Sequence, residues 1–183
     1  MTREVGKKVT LRDITYEDTP LVVKWRNNPR VRNNFIYRET FTEDIHNTWM
    51  RNKVEKGEVC QLIILENNCD ETGRLQDADC KKRPVGSVYL RDIDKLKKTA
   101  EYGIFIGEDD ATGHGYGNEA AELMCRYAAR ELGLKKLILR VFNSNEAARK
   151  SYEHAGFVKT EDLPAVKCSD GEQADMILME KIL

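Results

Sequence analysis

The chain has 183 residues, 40% of them hydrophobic and 33% charged, which fits one globular domain of about 150 residues with decoration and excludes a disordered chain. Thirty lysines and arginines against 31 acidic residues leave a net charge of −1, too little basic excess for a duplex-wrapping surface. The apolar runs are strand-sized (Leu62-Ile63-Ile64-Leu65), far below the about 18 residues of a membrane span, and the five cysteines form no C-x-x-C pair. The reading is a reduced, cytoplasmic, single-domain protein (1–183) with no nucleic-acid partner, no membrane segment and no metal; the polar, charged opening of the chain shows no signal-peptide core.

Alternation predicts a first strand over 9–14. Asp18-Thr19-Pro20 opens a helix that runs to about Trp25, and Asn27-Asn28-Pro29 stops it, because the residue before proline resists the helical region. A second helix is expected from Thr42 to Gly57, and a strand rich in Ile and Leu over 59–66. The segment 66–82, polar and without period from Asn67 onward, reads as an exposed loop between strands. Strands follow over 84–92 and 99–107, joined by a charged turn. A long amphipathic helix over 117–132 carries Ala120, Leu123, Met124, Tyr127 and Ala128 on one stripe, and Gly133 ends it. The strand over 136–142 is apolar on both faces and so expected to be central. Asn143-x-x-Glu146 reads as a capping box for the next helix, Gly156 closes it, and strands over 157–161 and 175–181 finish the chain. The fold class is α/β, an α+β mixed sheet with helices on its faces, in the order β-α-α-β-β-β-α-β-α-β-β.

The most informative stretch runs from Ile104 to Ala120. A strand ends, glycines stand at 113, 115 and 117, and a helix begins at once. Glycine allows close backbone approach and helix N-terminal amides point outward, a combination suited to a phosphate or pyrophosphate. A Walker loop is excluded because Gly117 is followed by Asn118-Glu119, and the spacing and late position do not match a dinucleotide fingerprint. A glycine-rich helix entry without a ligand remains the plainer alternative.

The segment Thr112-Gly113-His114-Gly115-Tyr116-Gly117-Asn118-Glu119-Ala120 resembles the acetyl-CoA pyrophosphate loop of the GNAT acetyltransferase superfamily. Asn145-Glu146-Ala147-Ala148, followed by Ser151-Tyr152 and Ala155-Gly156-Phe157, is similar to the superfamily's second signature, and Ala100-Glu101-Tyr102-Gly103-Ile104 to its fourth strand. Trp25-Arg26-Asn27-Asn28-Pro29 with Val31-Arg32 resembles the early segment of the RimJ/RimL-like branch. The resemblance spans almost the whole chain and implies the acyl-CoA N-acyltransferase fold. One departure is Thr112, where the superfamily usually has Arg or Gln; the acidic run Glu108-Asp109-Asp110 just before it is expected to face solvent.

The resemblance implies acetyl transfer from acetyl-CoA to a primary amine by direct attack in a ternary complex. Residues 112–118 (Thr112, Gly113, His114, Gly115, Tyr116, Gly117, Asn118) would hold the pyrophosphate, Asn145 and Tyr152 the cofactor arm, and the backbone of Ile104, Phe105 and Ile106 would polarise the thioester carbonyl. Tyr152 is the expected acid for the departing thiolate; its plainer role is a core aromatic on the helix stripe. Glu101 is the expected base, acting through water, with an ion pair to a neighbouring Arg or Lys as the equal alternative.

The acceptor is less legible. Arg26, Arg30, Arg32 and Arg38 cluster between the first two helices and suit a phosphate or carboxylate, or else form a solvated loop. With His46 and Trp49, for which core packing competes, Arg26 and Arg32 are the substrate-binding candidates. This segment also resembles amino-sugar-nucleotide acetyltransferases; protein N-terminal amines and polyamines are the branch's other acceptors, and Glu39, Glu43 and Asp44 keep a polyamine open. Partners are therefore a small-molecule or peptide amine, with a homodimer left open. From another class, a CoA-binding module without catalysis would be free to lose Glu101 and Tyr152; both are present.

Overall fold

The computed structural model describes residues 1–67 and 82–183; most of the expected loop over 66–82 lies outside them. The elements are β1 (Thr2–Val5), β2 (Val9–Asp13), α1 (Thr19–Asn27), α2 (Pro29–Arg32), α3 (Glu43–Trp49) continued by a wider turn over Met50–Val54, β3 (Cys60–Glu66), β4 (Arg83–Asp94), β5 (Thr99–Ile106), α4 (Tyr116–Arg130), β6 (Lys136–Phe142), α5 (Glu146–His154), β7 (Val158–Lys167) and β8 (Gln173–Ile182). The strands form one mixed sheet in the order β1-β2-β3-β4-β5-β6-β8-β7.

Two elements go beyond the expected order. β1 has no buried apolar face, so no sequence pattern marks it; it exists because it pairs antiparallel with β2. α2 follows the proline that stops α1. Asn28 is extended, its side chain accepts from the Arg30 amide at 3.0 Å, and Pro29 opens the new helix, so one residue pair ends one helix and starts the next. The cap of α5 is Asn145, whose Oδ1 accepts from the Ala148 amide at 3.1 Å, rather than Asn143.

Each sheet face is covered. α4 and α5 lay Leu123, Met124, Tyr127, Ala128 and Ala155 on Leu11, Ile64, Val88, Tyr102, Leu137 and Leu139. On the other face Val22, Trp25, Val31 and Met50 pack on Ile63, Leu65 and Phe105. Trp25 is fully buried, and its ring lies where a Cβ on Gly107 would fall, so this helix can approach the end of β5 only over a glycine.

The sheet is not continuous at its centre. β5 pairs parallel with β6 only through Thr99–Glu101 against Lys136–Ile138, and then the two part. β5 stays with β4 as far as Gly86↔Ile106, while β6 stays with β8 as far as Phe142↔Met176. The second halves of β5 and β6 thus face a cleft instead of each other, leaving backbone amide and carbonyl groups of residues 102–106 without a strand partner on that side.

Candidate functional site

The glycine loop lies just past the open end of β5. Gly113 and Gly115 have φ of 80° and 79°, the left-handed region that favours glycine, and Gly115 is the N-cap of α4. A Cβ at Gly113 or Gly117 would meet nothing within 4 Å, so both glycines border open space at the start of α4. Thr112, Gly113 and His114 are exposed, and the His114 ring stacks on Tyr116 with centroids 5.5 Å apart. Thr112 turns its hydroxyl back to the Asp109 carbonyl at 2.8 Å. Tyr116 donates to Glu66 at 2.5 Å, and Asn118 accepts from Ser151 at 2.5 Å, tying α4 to α5.

The acidic run before the loop is neutralised residue by residue. Glu108 does not face solvent: its carboxylate accepts from Lys24 at 2.8 Å and from the Trp25 indole at 2.7 Å. Asp109 pairs with Arg30 at 2.7 Å and Asp110 with Arg83 at 2.9 Å, and both remain exposed. Hydrogen bonds from these cations hold all three carboxyls below their ordinary range, so they stay ionised partners of fixed cations and spend little field on an anion in the loop. From the other side Glu119, in the first turn of α4, accepts from the amides of Lys7, Lys8 and Val9 at 3.0, 2.7 and 2.8 Å. Lys8 then donates to the His114 carbonyl at 3.0 Å. The β1–β2 turn is thereby clamped to the loop, an arrangement that sequence reasoning missed because the partners are more than 100 residues apart.

Tyr152, on α5, sits at the parting of the sheet. Its ring meets Tyr102 of β5 edge-on at 6.0 Å and Phe157 at 6.0 Å. The hydroxyl has no hydrogen-bond partner among the described residues, and burial, then Tyr89, raises its pKa above the ordinary tyrosine value, so it carries its proton at neutral pH. Asn145 serves as the helix cap and also donates to Asn34 Oδ1 at 2.8 Å. On the far side of the cleft Arg30 donates to the Ile106 carbonyl at 3.0 Å. The segment around α2 therefore reaches from the end of β5 to the start of α5, across the mouth of the cleft. Ile104 and Ile106 lean on the α4 side, whereas Phe105 faces Trp25 and Phe35.

Glu101 lies at the last paired position before the strands part. Arg91 donates to its Oε1 at 2.6 Å and Arg140 to its Oε2 at 3.0 Å, so both carboxylate oxygens are taken. Of the four early arginines, Arg30 is paired with Asp109, and Arg38 with Asp170 at 3.1 Å and Glu172 at 2.8 Å. Arg26 and Arg32 have no carboxylate partner among the described residues; Arg32 lines an open cavity of about 1010 Å³ together with Tyr37, Glu39 and Ile45. His46 is 1% exposed between α1 and α3, with Nδ1 at 2.9 Å from Thr19 Oγ1, and burial lowers its pKa so that it is neutral. Trp49 donates to Gln61 at 3.0 Å. These two lie in the packing of α3 rather than in the cavity. The structure adds Tyr89, whose hydroxyl end lies over Gly103, in the place where a Cβ there would stand. Only the pairing Tyr89↔Gly103 brings them together, so no motif could have marked it. Among the described residues no group of His, Cys, Asp and Glu is placed to hold a metal ion, and no helix is long and apolar enough to cross a membrane.

A mixed sheet parted at its centre, with a glycine loop and helix N-terminus at the mouth of the cleft, is the architecture of the acyl-CoA N-acyltransferases. The chain belongs to the acetyltransferase (GNAT) domain family, whose model matches residues 8–158. It is 29% identical to alpha/beta-tubulin-N-acetyltransferase 9 of Drosophila melanogaster over 164 residues, covering 87% of this chain and 80% of that one. It is 30% identical to the uncharacterized protein MJ1062 of Methanocaldococcus jannaschii over 162 residues, 86% of this chain, but spans only 30% of that protein's length. The crystal structure of spermidine N-acetyltransferase from Vibrio cholerae in complex with CoA and spermine superposes with a TM-score of 0.83, at 20% identity and over 97% of this chain and 96% of that one, which is a likeness of fold.

Proposed function

We propose that the protein transfers an acetyl group from acetyl-CoA to a primary amine by direct attack in a ternary complex. The observation that carries this reading is the cleft where β5 leaves β6 after Glu101↔Ile138, with the glycine loop at its end and Tyr152 at its parting. On this reading the amides of residues 113–118 hold the pyrophosphate at the positive end of α4, where neither a Cβ nor an unpaired carboxylate obstructs it. The free amide edge of β5 between Tyr102 and Ile106 receives the pantetheine arm and polarises the thioester carbonyl. Asn145 Nδ2 carries a second N–H that can donate to the arm while the first stays on Asn34 and Oδ1 caps α5.

Tyr152 gives its proton to the departing thiolate, a role that suits a half-buried, protonated hydroxyl with no hydrogen-bond partner among the described residues. Glu101, with both oxygens held by arginines, orients Arg91 and Arg140 on the acceptor side, and this ion-pair role is favoured over that of base. The amine enters from the α1–α3 side, opposite α4, where the open cavity carries Arg32, Arg38, Glu39, Asp170 and Glu172 in its wall and Arg26 lies behind Tyr37. Acetyl-CoA mixed with the protein and a panel of primary amines should release free thiol only when an acceptor is present. Binding of acetyl-CoA with no release for any amine would leave a CoA-binding module in place of an enzyme.

A further inference from the structure

Arg26 is 8% exposed, yet its guanidinium is poorly satisfied. It lies 3.4 Å over the Phe35 ring centre and 5.2 Å from that of Phe41. Nη2 makes one long bond to the Tyr37 carbonyl, 3.4 Å, and Nη1 has no partner among the described residues. Phe35 in turn packs edge-on against Phe105 of β5 at 5.8 Å, which places the cation over the sheet face that carries Tyr89, Glu101 and Gly103. Stacking on a ring compensates part of a buried charge, but Nη1 is held in the interior with no hydrogen-bond acceptor among the described residues.

The neighbouring charges point to what that is. On the same face Arg91 and Arg140 share Glu101, and Asp92 stands 3.7 Å from Arg91 Nε. Among the described residues Arg91 and Arg140 have acidic partners, whereas Arg26, the most buried of the three, has none. Resting on the acetyl-transfer reading above, we infer that the acceptor is a primary amine carrying its own anionic group, a carboxylate or a phosphate, which pairs with Arg26 Nη1 on the acceptor side of β5. A polyamine brings only cations, whereas Glu101 on this face already serves two arginines, and Asp170 and Glu172 in the cavity wall are paired with Arg38. The same excess of positive charge disfavours the ammonium form of an amine held nearby, and so favours the neutral nucleophile that attack requires.

The test compares acceptors in matched pairs with the wild-type protein: an α-amino acid against its amide, glucosamine 6-phosphate against glucosamine, and spermidine alone. Thiol release should show kcat/KM at least tenfold higher for the charged member of one pair, and the pair that shows it separates carboxylate from phosphate. Spermidine should rank below that member. Arg26→Met should raise KM for the charged member tenfold or more and leave KM for acetyl-CoA and for its neutral counterpart unchanged; Arg26→Lys should recover part of the loss. Equal kcat/KM within both pairs, or spermidine as the best acceptor, overturns the inference while leaving acetyl transfer intact. Loss of melting temperature in Arg26→Met with unchanged KM likewise overturns it, by making the arginine a core element. Should that variant not fold, the wild-type pairs still decide. Absence of transfer to every amine, with acetyl-CoA bound, removes the enzymatic reading and the acceptor class together.

Discussion

At the scale of single residues, Tyr152 is the side chain on which catalysis and packing can be separated most cleanly. Its ring fills space against Tyr102 and Phe157, but its hydroxyl bonds to none of the described residues. Tyr152→Phe keeps the ring contacts, so the melting temperature should change little. If the hydroxyl protonates the thiolate, kcat should fall between tenfold and a few hundredfold, the lower part of the about 10²–10⁴ range for general acids, because a CoA thiolate leaves readily. KM for acetyl-CoA should move much less, since the interaction belongs to the transition state. Burial raises the hydroxyl's pKa, so the alkaline side of the kcat profile should not decline below the ordinary tyrosine value of about 10. A variant with wild-type kcat would make Tyr152 core filling. The arginines make a related point. Four look alike in the sequence, yet Arg30 and Arg38 are paired to acids and, among the described residues, Arg26 and Arg32 are not. Proximity along the chain could gather them but could not say which were already spent.

At the scale of elements, the start of α4 combines structural and binding demands on three glycines that differ. Gly113 and Gly115 need positive φ, so a side chain at either strains the backbone and confuses a binding test; at Gly115 it would also meet Lys8 Nζ at 3.1 Å. Gly117 is helical and open, so it offers the clean experiment. Gly117→Ala should stabilise the free protein by up to about 1 kcal/mol through helix propensity. If the pyrophosphate lies against this backbone the added methyl intrudes on it, so affinity for CoA should fall at least severalfold by calorimetry. Tighter or unchanged CoA binding would place the pyrophosphate elsewhere. The opposite signs of the two effects distinguish lost approach from lost fold.

At the scale of the molecule, acetyl-CoA should act as a brace. A ligand spanning the loop, the cleft and Asn145 would touch β5, α4 and α5 at once, elements otherwise joined through side-chain contacts such as Asn118–Ser151. At 100 times its Kd it should add about 2.7 kcal/mol of stability. For a chain of this size that corresponds to a rise in Tm of roughly 5–10 °C by calorimetry. No shift at millimolar acetyl-CoA would remove the cofactor assignment.

Local pattern determined much of this protein. Alternation marked β2, a run apolar on both faces marked β6, the 3.6 period marked α4, and the glycines with the downstream Asn145 to Phe157 segment marked the family, because these signals are written in adjacent residues. β1 escaped notice since it buries no apolar face, and α2 since a proline reads as a stop before it reads as a start. Only the tertiary structure decided the rest. The parting of β5 from β6 depends on each strand following its other neighbour. The neutralising of Glu108, Asp109 and Asp110 depends on cations from α1, α2 and β4. Burial of Arg26 without an acid depends on where Phe35 meets β5. Hydrophobic period is a property of neighbours in the chain, whereas the pairing of charges is settled by which distant segments the sheet brings side by side.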